Sequence, residues 1–215
     1  MISQSSARIF LTDNYVTQQD SAFRVINILE VQSVAQKELV SVDEYTLAPG
    51  KSMNYAIESN VMILPVVGTL VAKHNKAEVE IACGEILFLN DESPLELYNF
   101  YDDALINYMM LTFAIEDGFD TLKYSFDLDK HKNEMLNVMD KGSLLVSLGK
   151  FDMRKEAAYA LSDNNSHSFC MVIQGSFEIE GRLLHQRDAL AVWDTNALGI
   201  ESLGKESILL LVEHN

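Results

Sequence analysis

Residues 173–194 read IQGSFEIEGRLLHQRDALAVWD, and the fold is decided here. Phe177 and Ile179 alternate with Ser176, Glu178 and Glu180, the period-two pattern of a half-buried strand. Gln174-Gly175 and Glu180-Gly181 flank it as turn dipeptides. Arg187-Asp188 then precedes Ala189–Trp193, an apolar run short enough to be a buried strand. Strand, glycine turn, strand, turn, strand is the unit that an antiparallel barrel repeats.

The same unit occurs earlier in the chain. Val61–Val67 is an apolar run ended by Gly68, and Thr69–Ala72 continues it. Glu78–Ile81 alternates, and Gly84-Glu85 precedes Ile86–Leu89. Gly68 therefore stands where Gly175 stands, and Gly84-Glu85 where Arg187-Asp188 stands. The offset of 175 − 68 = 107 residues is about half of the 215-residue chain, which predicts two tandem copies of one fold. Pro65 removes a ladder donor, so Val61–Val67 is expected at an edge or a bulge.

Further strands are expected at Phe23–Leu29, Ser41–Leu47, Ala104–Ala114, Tyr124–Leu128, Ser143–Phe151, Lys155–Leu161 and Ser207–Glu213. Residues 130–139 fit a helical face or a strand, and the strand is preferred. The acidic turn Glu116–Asp120 is taken as the linker. This places one domain at 1–115 and a second at 116–215, in an all-β chain of two barrels or sandwiches.

Composition narrows the function. Hydrophobic residues make up 48%, enough for a core, and the net charge is −16. Such a chain repels phosphate backbones and anionic bilayers, so neither nucleic acid nor membrane is an expected partner. No run approaches the roughly 20 apolar residues of a span, and the N-terminus lacks a secretory pattern. Cys83 and Cys170 are read as two buried thiols of a cytoplasmic protein. Phosphate-cradling glycine motifs and the Gly-x-Ser-x-Gly elbow are absent from the sequence. Asp127, Asp129 and Glu134 lack the turn glycine of a calcium loop and read as solvated charges.

Gly142-Ser143-Leu144, GSFEIEG at 175–181, RDALAVWD at 187–194 and the apolar strand at 208–212 resemble the C-terminal cupin of the pirin-like bicupins, the pirin and quercetinase-type family. FRVINILE at 23–30, the turn Leu47–Gly50 and VMILPVVG at 61–68 follow that family's order and spacing. The resemblance implies two tandem cupin barrels (double-stranded β-helix, jelly-roll). It also implies a metal, commonly iron, in the first barrel, held by a His-x-His and a His-x-Glu pair. Such a set suits iron, nickel or copper with open positions.

Carried back from Gly68, the first pair falls on Asn54 and Ala56. Carried on from Gly84-Glu85, the second falls near Leu97 and Asn99. None of the four is a good ligand. The implied reading is a bicupin without the usual metal site, expected to use no cofactor. It would bind a small molecule or a protein without catalysis, as a monomer or homodimer. The alternative is a quercetinase-like dioxygenase or other oxidoreductase with a relocated iron, nickel, copper or zinc near His167 or His185. His167 is expected to approach Asp163 or Glu178, and His74 and His214 to be solvated. Trp193 is expected in the core or lining the barrel. The Tyr98, Phe100 and Tyr101 cluster is expected to fill the place of the metal. Asn54, Tyr98, Tyr101, His167 and Trp193 are the candidate ligand-pocket residues.

Overall fold

The computed structural model describes residues 5–30, 39–90, 93–114, 121–142, 144–162 and 167–214. The acidic turn Glu116–Asp120 and Asp163 lie outside the described residues. Strands account for nearly all of the regular structure. They are β1 (Ser6–Phe10), β2 (Val16–Gln19), β3 (Phe23–Glu30), β4 (Leu39–Leu47), β5 (Ser52–Tyr55), β6 (Asn60–Val67) and β7 (Leu70–His74). There follow β8 (Ala77–Ile81), β9 (Glu85–Leu89), β10 (Leu95–Tyr98), β11 (Ile106–Phe113), β12 (Leu122–Ser125), β13 (Met135–Lys141) and β14 (Leu144–Phe151). The last are β15 (Glu156–Ala160), β16 (His167–Gln174), β17 (Ser176–Ile179), β18 (Arg182–His185), β19 (Ala189–Trp193), β20 (Ala197–Ser202) and β21 (Ser207–His214). Among the described residues no helix is long and apolar enough to cross a membrane.

The chain divides into two compact units, one of residues 15–126 and one of residues 1–14 with 127–215. The first has a seven-stranded sheet, β12-β9-β6-β11-β4-β3-β2, and a four-stranded sheet, β5-β10-β7-β8. The second has a six-stranded sheet, β1-β19-β16-β21-β14-β13, and a four-stranded sheet, β15-β20-β17-β18. In each unit inward residues of both sheets form one apolar core. These groupings differ from the division at 115/116. β12 lies beyond the acidic turn but pairs with β9, and β1 pairs with β19 of the second unit. Each short strand covers an otherwise open sheet edge.

The two units repeat one design. Gly68 and Gly175 both have positive φ, as do Gly84 and Arg187 at the next turn. Glu85 accepts the Ala82 N–H, and Asp188 accepts the His185 N–H at 2.9 Å. Within the opening stretch the structure adds a strand: Glu180 and Gly181, both at positive φ, form the two-residue turn of the β17–β18 hairpin. Of residues 130–139, 135–139 belong to strand β13, as preferred, whereas 130–134 form a turn. Pro65 sits in central strand β6, where the pairing with β11 slips between Val67 and Pro65, so the bulge accommodates it.

Candidate ligand site in the first barrel

β5 is the edge strand of the first unit's four-stranded sheet and pairs with β10. Met53 and Tyr55 pack against the core, whereas Asn54 and Ala56 are exposed. The two positions expected for the first ligand pair, Asn54 and Ala56, therefore do not face the core. Across from β5, Leu95 pairs with Tyr55 and Leu97 with Met53, both leucines fully buried. Asn99 is buried too, but its amide is committed to a turn. It donates to the Leu47 and Ala104 carbonyls and accepts the Tyr101 N–H. The inward positions of the two strands are thus a thioether, a phenol and two leucines.

Three tyrosines meet at this place. The Tyr55 and Tyr108 hydroxyls lie 2.7 Å apart, and Tyr55 also donates to Met53 Sδ at 3.6 Å. Tyr45 stacks on Tyr108 at 5.2 Å, and Tyr55 meets Tyr45 edge-on at 5.5 Å. Asp43, which accepts from Asn27 and Ser41, lies on the same strand face as Tyr45. Burial, above all, holds all three phenols well above the ordinary tyrosine range. The Asp43 charge adds to this at Tyr45, and the neighbouring tyrosines do so at Tyr55. The three hydroxyls stay protonated. A phenol held this way is a poor ligand for a divalent cation, and Leu95 and Leu97 offer no donor atom. The residues present do not fit the three-imidazole, one-carboxylate metal centre that the resemblance implies. Tyr108→Phe should cost about 1 kcal/mol in a urea titration, and Tyr55→Phe a similar amount, with the double variant less than additive.

The other expectations resolve case by case. Tyr101 packs on the first core and receives the Thr69 N–H at 3.3 Å, and Phe100 stacks on it at 4.6 Å while remaining exposed. Tyr98 does not enter the barrel; Lys73 lies over its ring at 5.4 Å on the outer face it shares with Asn54. The interior is filled instead by Tyr45, Tyr55, Tyr108 and Met53. His74 is buried rather than solvated, because it ends β7 on the strand face of Leu70 and Ala72. An open depression of the first unit is lined by Asp20, Phe23, Arg24, Thr46, Ala48 and Leu105 among others.

In the second unit Tyr159 stands where Tyr55 stands, paired with Leu198 as Tyr55 is with Leu95. Its hydroxyl donates at 3.1 Å to Glu213, a fully buried carboxylate that also accepts the Ser162 N–H. Burial raises Tyr159 to about 12 against an opposing hydrogen bond from Ser147, and the Glu213 charge adds a smaller push upward. His167 does not approach Glu178. It stacks face to face on His214, which is 4% exposed and not solvated, since β21 runs on between β14 and β16. Trp193 is half-buried on the sheet face opposite the core-lining Leu190 and Val192. The barrel interior therefore does not include it. His185 is exposed on β18. Among the described residues no three His, Cys, Asp or Glu side chains are grouped to hold a metal. Cys170 is buried, and burial pushes its thiol up to about 12; Cys83 is exposed in the β8–β9 turn rather than buried.

Residues 132–213 match the family model described as the quercetinase C-terminal cupin domain. Among solved structures, the bacterial pirin YhhW from Escherichia coli in complex with nickel(II) has a TM-score of 0.80 at 11% identity, covering 97% of this chain and 99% of that one. Quercetin 2,3-dioxygenase from Acinetobacter baumannii has a TM-score of 0.76 at 11% identity, covering 97% and 85%. Its fold is that of a pirin-like bicupin. GK1651 from Geobacillus kaustophilus also shares the fold, with a TM-score of 0.74 at 11% identity over 100% and 98%. No curated protein sequence matches.

Within this fold, the five candidate pocket residues fall in separate places. Asn54 and Tyr98 are on the outside of a small sheet, Tyr101 is at the first core, and His167 and Trp193 are on the second unit's larger sheet. The sequence reading missed Tyr45, Tyr55, Tyr108, Glu213 and His214. Strand alternation was the available signal: Glu213 follows Leu209 and Leu211 at spacing two, and Tyr45 precedes Leu47.

Proposed function

We propose that this pirin-like bicupin lacks the family's usual metal site and serves as a non-catalytic binding protein for a small molecule or a protein partner. One observation carries the reading. The inward positions of β5 and β10 are Met53, Tyr55, Leu95 and Leu97, and the one hydroxyl among them is tied to Tyr108. Flavonol cleavage in the family works through a bound metal that polarises the substrate and oxygen, and these side chains supply no site for it. Tyr55 and Met53 are only partly buried, so a ligand reaching this end of the core would meet one phenol beside an apolar wall, a lining that suits a small molecule. The acidic composition fits a cytoplasmic monomer or homodimer without nucleic-acid or membrane partners.

The test is flavonol turnover. Protein incubated with quercetin in air, with and without added iron, nickel or copper, should leave the flavonol absorbance band unchanged. Metal-dependent loss of that band, abolished by Tyr55→Phe, would overturn the reading. In a thermal-shift screen of small aromatic and hydroxylated compounds, a true ligand should raise the melting temperature of the wild type and lose that effect in Tyr55→Phe. A screen in which no compound acts through Tyr55 counts against the first barrel as the binding site.

A further inference from the structure

The last two described residues of β21 face opposite ways and hold opposite things. His214 pairs directly with His167 across the β16–β21 register. Their rings are 7° from parallel with centroids 5.4 Å apart. His167 Nδ1 and His214 Nε2 are buried and have no hydrogen-bond partner among the described residues. On the other face, Glu213 reaches inward, where its two oxygens hold the Tyr159 hydroxyl of β15 and the Ser162 N–H. The end of one strand thus anchors the neighbouring sheet strand outside and the rim of the barrel inside.

We propose that the His167–His214 stack and Glu213 together form an acid-sensitive latch on the second barrel. Protonating the stack frays the end of β21, withdraws Glu213 from Tyr159 and Ser162, and loosens that rim.

The physical basis is an imidazole pair that accommodates charge poorly. A proton on the orphaned His214 Nε2 creates a buried N–H without an acceptor, against the face of a second imidazole. The charged groups on the same face of this sheet are Lys141 on β13, Arg8 on β1 and, at the far end of β14, Lys150, all cationic. Leu144 opposes His214 on β14, Trp193 follows Val192, the partner of Ser168, on β19, and Glu213 points to the opposite face. Burial first, and His167 second, lower His214 to about 4. A frayed end releases the ring to the ordinary value of about 6.5. The frayed state therefore binds the proton first as pH falls. The closed state keeps its full advantage above about pH 6.5 and loses it progressively towards pH 4.

Hydrogen exchange on the full chain tests this. Between pH 7 and pH 4.5, after correction for intrinsic rates, protection of amides in residues 159–162 and 210–214 should fall about tenfold or more relative to those of β17 and β18. His214→Phe keeps a flat ring in the stack and should abolish the fall. An unchanged fall in His214→Phe, or no selective fall in the wild type, overturns the proposal. Imidazole NMR titration of the wild type is independent of any variant's folding. A His214 midpoint below 5 supports the latch, and one near 6.5 rejects it.

Discussion

Replacing Gly175 with alanine is expected to lower the unfolding free energy by about 3 kcal/mol or more. Two costs add at this position. Gly175 has a φ of +79°, where a side chain is strained, and the structure offers its Cβ no room. A Cβ there would stand 2.8 Å from Ser207 Cβ and 3.1 Å from Ser207 Cα, so the backbone at the start of β21 must move. Gly181 provides the control. It has a φ of +70° but nothing within 4 Å of a Cβ, so Gly181→Ala carries the conformational strain alone, about 1 kcal/mol. Gly68→Ala, with Ile106 Cγ2 at 2.8 Å, should fall between them. Urea titrations of the three variants give the ranking; equal costs at 175 and 181 would mean that close approach to β21 contributes nothing.

Removing the Asp188 carboxylate is the second large effect. Asp188 is nearly buried, and three donors converge on it. The His185 N–H reaches one oxygen at 2.9 Å, and the Thr12 N–H and hydroxyl reach the other at 2.9 and 3.0 Å. Asp188→Ala leaves two backbone N–H groups without their acceptor and should cost about 2–4 kcal/mol. It should also release β1, because Thr12 is the clip just beyond that strand. Limited proteolysis near residue 12 should accelerate at least as much as global unfolding requires, and hydrogen exchange should place the excess in residues 6–12. Glu85 holds the equivalent turn in the first unit, accepting the Ala82 N–H and pairing with Lys123 at 2.8 Å. That pair is more exposed, so Glu85→Ala should cost about 1 kcal/mol or less.

These two turns also mark what the sequence makes legible. Gly68 and Gly175, and Gly84-Glu85 and Arg187-Asp188, can be matched by eye because each residue type answers a local demand, positive φ or a carboxylate acceptor at a tight turn. Alternation in β17 and β8 likewise locates strands without tertiary knowledge. The failures begin where a local pattern must be carried through an irregularity. Counting back from Gly68 crosses the bulge at Val66 and the non-strand residues 56–59 and ends on Asn54 and Ala56, which are exposed. Since side chains alternate between faces, the inward neighbours are Met53 and Tyr55, which such a count does not single out. His74 and His214 were misjudged for a related reason. Proximity to a turn or a terminus suggests solvent, but each ends a strand that is paired on both sides up to that last residue. The assignment of β1 to the second unit depends on pairing across more than 170 residues, which no local signal encodes.

We propose that tyrosine, methionine and leucine side chains stand in the first barrel where the resemblance implies a metal centre. Its most direct test is metal content after purification without chelator, followed by titration with iron(II), nickel(II) and copper(II) and dialysis. The account predicts far less than one bound metal per chain, and no change in the Tyr55→Phe variant. One tightly retained metal per chain that is lost in Tyr55→Phe would contradict it.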